Sequence, residues 1–90
     1  MKTIELKVTG QVQGVFFRAS TQDKARQLGL TGRVWNHQDG SVRIIAQGDE
    51  QAFRPFLKWL HKGPERAVVE EVKWEEIQNG KNYSGFKVER

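Results

Sequence analysis

The chain has no cysteine among its 90 residues, which excludes disulfides, thiolate metal sites and a cysteine nucleophile. It has two prolines, so few positions interrupt a helix or strand through ring geometry. No apolar run is long enough to span a bilayer, and the start Met1-Lys2-Thr3-Ile4-Glu5 lacks the apolar core of a secretory leader. A cytoplasmic protein without a membrane partner is therefore expected. Repeats, linkers and low-complexity stretches are absent too, which points to one domain over residues 1–90. The chain begins at Met1 and finishes soon after its last expected strand, so an independent protein is expected, and the expected state is a monomer. Acidic residues are the minority, 11 against 15 lysines and arginines, for a net charge of +4. That balance favours anionic partners without choosing among nucleotides, small phosphates and membranes.

What is present divides into short periodic segments. Ile4, Leu6 and Val8 alternate with Glu5, Lys7 and Thr9, the pattern of a half-buried strand. Arg18 to Leu28 reads as a helix with a thin apolar stripe of Thr21, Ala25 and Leu28. Gly29 supplies a left-handed stop, with Leu30 placed to pack back on Ala25. Val34 starts a second strand that ends near Asn36. Asp39-Gly40 signals a hairpin turn, and Val42, Ile44 and Ala46 alternate in a third strand.

Gly48-Asp49 caps a second helix, whose apolar face is Ala52, Phe53, Phe56, Leu57 and Leu60. Pro55 removes an interior hydrogen bond from it at a cost of about 3 kcal/mol, so a kink or a late start is expected. Gly63-Pro64 ends that helix. Ala67 to Ile77 reads as a fourth strand whose apolar parity slips between Val69 and Val72, which predicts a bulge near Glu70-Glu71. Asn79-Gly80 starts a loop, and Phe86 and Val88 form a short last strand. The order predicts an α+β, ferredoxin-like split βαβ sandwich. Its antiparallel-rich sheet has four main strands plus a short C-terminal one, with two helices on one face.

Within this frame the run Gly10-Gln11-Val12-Gln13-Gly14-Val15-Phe16-Phe17-Arg18 breaks a local rule. It puts a cation in the first helical turn, against the positive end of the macrodipole. An anion held between backbone amides and the guanidinium removes the conflict. The first crossover makes strands one and two parallel, so the loop before Arg18 and the end of strand two share one sheet edge. With one strand between them their backbones lie about 10 Å apart, room for a phosphate-sized ligand. Asn36 shares parity with Val34 and points to the helix-covered face, towards Arg18. Arginine holds phosphate oxygens but transfers no proton. Asparagine orients a water but is no base. Such a pair catalyses only by positioning and electrostatics, which suffices for phosphoryl transfer to water from a good leaving group.

These residues resemble the acylphosphatase signature. So do Gly32-Arg33-Val34-Trp35-Asn36, Asp39-Gly40-Ser41-Val42 and Gly48, and further on Gly63-Pro64, Ala67, Val69, Val72 and Phe86-Lys87-Val88. The resemblance implies metal-free, cofactor-free hydrolysis of acyl phosphates to a carboxylate and inorganic phosphate. It implies that Arg18 binds the phosphoryl group and that Asn36 orients the attacking water. The backbone amides of Gln13, Gly14, Val15 and Phe16 would cradle the phosphate, and the substrate's own phosphate would take the proton. Phe16 stands where the family usually has a small residue, which is expected to narrow or cover the cradle. Arg33 and Trp35 reverse the usual aromatic and polar order, on the face opposite Val34 and Asn36.

Blander readings stand beside these. Asn36 is also a common turn residue, and Gly10 and Gly14 are also ordinary punctuation, close approach to an anion being the added claim. His37 reads as an exposed loop residue rather than a base, His61 as a helix-end charge, and Trp59 as a border of the core. Trp74 reads as a sheet-surface or core residue. The alternatives in function are a non-catalytic anion-binding module and an RNA-binding ferredoxin-like module. The latter is disfavoured because strands one and three carry no aromatic residue for stacking. No nucleic-acid partner is expected.

Overall fold

In the computed structural model, which describes residues 1–90, the first alternating segment forms β1 (Lys2–Gln11), with Ile4, Leu6 and Val8 buried. Then come α1 (Phe17–Gln27), β2 (Thr31–Asn36), β3 (Val42–Gly48), α2 (Glu50–Lys62), β4 (Val68–Ile77) and β5 (Phe86–Val88). The sheet order is β4-β1-β3-β2-β5. Both β1 and β2 run antiparallel to β3, which lies between them. They are therefore parallel to each other, and their C-terminal ends share one sheet edge. This is the ferredoxin-like arrangement, a mixed sheet because β5 pairs in parallel with β2, Gly32 opposite Phe86 and Val34 opposite Val88. The pairing carries the end of the chain to the edge where β1 and β2 finish.

Both helices bury into one cluster. Phe17 and Ala25 come from α1, and Phe53, Phe56 and Leu60 from α2, against Leu6, Val34, Ile44 and Phe86 of the sheet. Each of these side chains larger than alanine contributes about 1.5–3 kcal/mol by leaving water. Phe56 meets Phe86 edge-on at 6.3 Å, and the half-buried Trp59 meets Phe17 at 5.9 Å. At the end of α1, Leu30 N–H donates to the Ala25 carbonyl and Gly29 N–H to that of Arg26, a Schellman closure that turns the chain into β2.

Four local expectations need correction or sharpening. β2 begins at Thr31, not Val34, because Gly32 lies within it. A Cβ there would come 1.8 Å from the Ile45 carbonyl oxygen, so the strands approach only with glycine. α2 begins at Glu50 and passes through Pro55 without a late start. Pro55 and Gln51 are both exposed, so the carbonyl that Pro55 leaves free faces water, while the buried phenylalanines hold the helix in place. Asp49 occupies the cap position, yet its side chain makes no capping bond; its backbone carbonyl accepts the Ala52 N–H instead.

The β1–β4 ladder pairs Thr9 with Glu71 and Gly10 with Val69, leaving Glu70 as the bulged residue. The bulge keeps both Val72 and Val69 on the side of the core, as the parity slip required. It also explains Gly10, where φ is 124° and a Cβ would sit 2.1 Å from the Val68 carbonyl oxygen. The close approach at Gly10 is therefore to β4 and not to an anion.

Candidate active site

Between β1 and α1 the chain crosses the end of the sheet. Val12 is buried and Val15 packs against the core, so the back of the loop is fixed by apolar contact. Phe16 then adopts left-handed geometry, φ 61° and ψ 21°, at the N-cap position of α1, and no side chain caps the helix. Left-handed backbone costs a non-glycine residue about 1–2 kcal/mol. From Gln13 to Ala19 no backbone N–H donates to a protein acceptor; the ladder starts with Ser20 N–H on the Phe16 carbonyl. The amides from Phe16 to Ala19 carry the positive end of the helix dipole. The first turn has no acidic residue to answer them, and Arg18 adds a further positive charge.

Gly14 and the residues from Phe16 to Ala19 in this run border a cavity of about 370 Å³. Gly14, Phe16 and Arg18 line it from the loop and α1, Asn36 from the end of β2, and Val88 and Arg90 from the C-terminal segment. Arg18 Nη1 donates to the Glu89 carbonyl at 3.0 Å, and Glu89 N–H donates to the Val34 carbonyl at 2.8 Å. The guanidinium is thereby tethered to the strand that ends in Asn36. One carbonyl occupies one of the guanidinium's five donors, leaving the others for an anion. Asn36 is exposed at the cavity, on the helix side of β2 as its parity with buried Val34 requires. Two larger hollows, about 610 Å³ near Lys7 and Lys73 and about 650 Å³ beside α2, are lined by neither Arg18 nor Asn36. Size does not select the site.

Gln13 and Val15 do not line the cavity. The Gln13 side chain turns to the hairpin that follows Asn36, where Nε2 donates to the carbonyls of His37 at 2.9 Å and Ser41 at 3.0 Å. Its role in the site is that of a brace between the loop and the hairpin. The hairpin is itself held by Asp39, which accepts from the Ser41 hydroxyl, the Ser41 N–H at 2.9 Å and Arg43 Nη2 at 3.0 Å. The Ser41 hydroxyl and amide, then Arg43 and His37, hold the Asp39 carboxyl well below the usual carboxylate range. His37 is exposed with its Nδ1 3.1 Å from Asp39, and it does not reach the cavity. Arg33 lies over the Tyr83 ring at 5.3 Å, away from the site.

Sequence reasoning missed the Glu89 carbonyl, Val88 and Arg90. The alternation of Phe86 and Val88 marks a strand, but nothing local marks β2 as its partner. That pairing alone brings the chain's end to Arg18.

Comparison with known proteins shows the family. The acylphosphatase family model matches residues 4–88. An acylphosphatase of Marinobacter nauticus is 49% identical over 82 residues, covering 91% of this chain and 89% of its own. The structure of an acylphosphatase from Coxiella burnetii superposes with a TM-score of 0.93 at 43% identity, over 98% of this chain and 92% of that one. The crystal structure of acylphosphatase from Bacillus subtilis gives 0.95 at 31% identity, over 100% of both chains.

Proposed function

This chain belongs to the acylphosphatase family and is a hydrolase of that kind, and from that premise we propose how its residues divide the work. Arg18 and the free amides on the cavity, those of Gly14 and Phe16 among them, bind the phosphoryl group of an acyl phosphate, with Gln13 and Val15 holding the loop behind them. Asn36 orients the attacking water. The observation that carries this reading is the row of unpartnered amides beside Arg18, with Asn36 on the same cavity.

The water oxygen bonds to phosphorus while the bond from phosphorus to the acyl oxygen breaks. Its electron pair leaves with the carboxylate. A carboxylate whose conjugate acid has a pKa of about 4 needs no general acid. The water's proton passes to a phosphoryl oxygen of the substrate, since Arg18 stays protonated and Asn36 is no base. The products are a carboxylate and inorganic phosphate. Charge on the phosphoryl oxygens is met by fixed donors that need no reorganisation, so the reaction as proposed requires no metal. The same reading takes the protein as a cytoplasmic monomer.

The test is turnover of benzoyl phosphate with a chelator present, for wild type, Arg18→Gln and Asn36→Ala. Arg18→Gln is expected to weaken both phosphate inhibition and turnover. Asn36→Ala is expected to lower turnover while phosphate inhibition persists. Full activity in either variant removes its assigned role, and loss on chelation refutes the metal-free step.

A further inference from the structure

We infer that the Phe16 ring is a contact surface for the acyl group, giving this protein a preference for aryl and bulky apolar acyl phosphates over acetyl phosphate. The inference rests on the acyl-phosphate reading above and names the part of the substrate which that reading leaves open. Of the large apolar side chains that stand exposed, Phe16 (78% exposed) is the one on the cavity shared by Arg18 and Asn36. Its ring has no aromatic partner, whereas Phe17, Trp59, Phe56 and Phe86 are all paired. An isolated exposed ring is ordinary by itself. Here it coincides with left-handed backbone at the same residue, where Gly or Asn would be less strained. Two unfavourable features at one position of a site point to a use for the side chain.

The cavity is divided in a way that gives the ring that use. Arg18, Asn36, Gly14 and Arg90 supply charge and polarity, and Val12, Phe17, Ala19 and Val88 supply an apolar wall beside Phe16. A phosphoryl group bound at the amides leaves its acyl substituent one bridging oxygen away. That substituent must then pass the apolar rim. A methyl group offers the ring little area, whereas an aryl group can stack on it or meet it edge-on.

The experiment compares kcat/KM for benzoyl and acetyl phosphate in wild type, Phe16→Asn and Phe16→Tyr. Asparagine tolerates the left-handed backbone, so the loop keeps its course while the ring is removed. Phe16→Asn is expected to lower the benzoyl-to-acetyl ratio about fivefold, mainly through KM for benzoyl phosphate, and Phe16→Tyr to hold it within about twofold. A backbone role alone would move both substrates together. Wild type hydrolysing both, with an unchanged ratio in Phe16→Asn, overturns this inference and leaves the proposed function standing. Hydrolysis of neither by wild type overturns both.

Discussion

Removing the Gln13 side chain should separate positioning from binding in this site. Gln13→Ala deletes two neutral hydrogen bonds, to the carbonyls of His37 at 2.9 Å and Ser41 at 3.0 Å. Each is worth about 1 kcal/mol net. Neither carbonyl is orphaned by the deletion, because Ser41 still accepts the His37 N–H and His37 still accepts the Gly40 N–H. Releasing an ordered glutamine side chain also returns rotamer entropy of roughly 1.5–2 kcal/mol. The net loss of stability should therefore be small, about 0.5 kcal/mol or less, or a fall in Tm of at most about 4 °C for a domain of this size.

The kinetic effect should be larger in proportion. The brace sets the loop amides against the hairpin that follows Asn36, and a misplacement of about 1 Å can cost up to a hundredfold in rate. A fall in kcat of about tenfold is expected, with inhibition by inorganic phosphate little changed, because Arg18 and the backbone amides remain. Since Gln13 acts through Asn36, adding Gln13→Ala to Asn36→Ala should cost little more. Gln13→Glu should be worse than alanine near neutral pH, where a carboxylate faces two carbonyl oxygens. It should recover in part below about pH 4.3, where the protonated acid donates one bond. Benzoyl phosphate hydrolysis and thermal unfolding by circular dichroism measure both quantities. Wild-type kcat in Gln13→Ala, or full additivity with Asn36→Ala, would refute the brace.

The remaining predictions concern the scaffold. Gly10→Ala places a Cβ 2.1 Å from the Val68 carbonyl oxygen at a φ of 124°, and should destabilise by about 3 kcal/mol or more in urea unfolding; a change under about 0.5 kcal/mol would show that the bulge yields. Asp39 has a lowered folded-state pKa, so its contribution is fully present above its unfolded value of about 3.9 and is lost as pH falls below it. The stability difference between wild type and Asp39→Asn should be constant near neutrality and shrink below about pH 4, and a difference unchanged to about pH 2.5 refutes the assignment.

The sequence by itself determined everything that a short window can encode. Alternation in Ile4-Leu6-Val8 and Val42-Ile44-Ala46 marked two strands and their buried faces. Gly29 and Gly63 marked the helix ends, and the parity slip between Val69 and Val72 put a bulge near Glu70-Glu71, which the β1–β4 register narrows to Glu70. The run ending in Arg18, a cation where the helix dipole opposes one, marked the candidate site, and strand parity put Asn36 on the helix side. Strand β2 was legible only in part, because Gly32 has no side chain to show its alternation.

The tertiary structure decided which distant groups meet. Gly10 reads as part of the anion loop, yet the bulged β4 backbone occupies the space beside it. Gln13 reads as one more cradle residue, yet its side chain reaches two hairpin carbonyls that no local pattern designates. Arg18 is held by the Glu89 carbonyl only because β5 pairs in parallel with β2, far from it in sequence. Side-chain period and turn chemistry act over a few residues and so are written locally. Strand partnership is set by the summed burial of one core, to which every element contributes, and the site is assembled where that core brings two strand ends and the chain's end together.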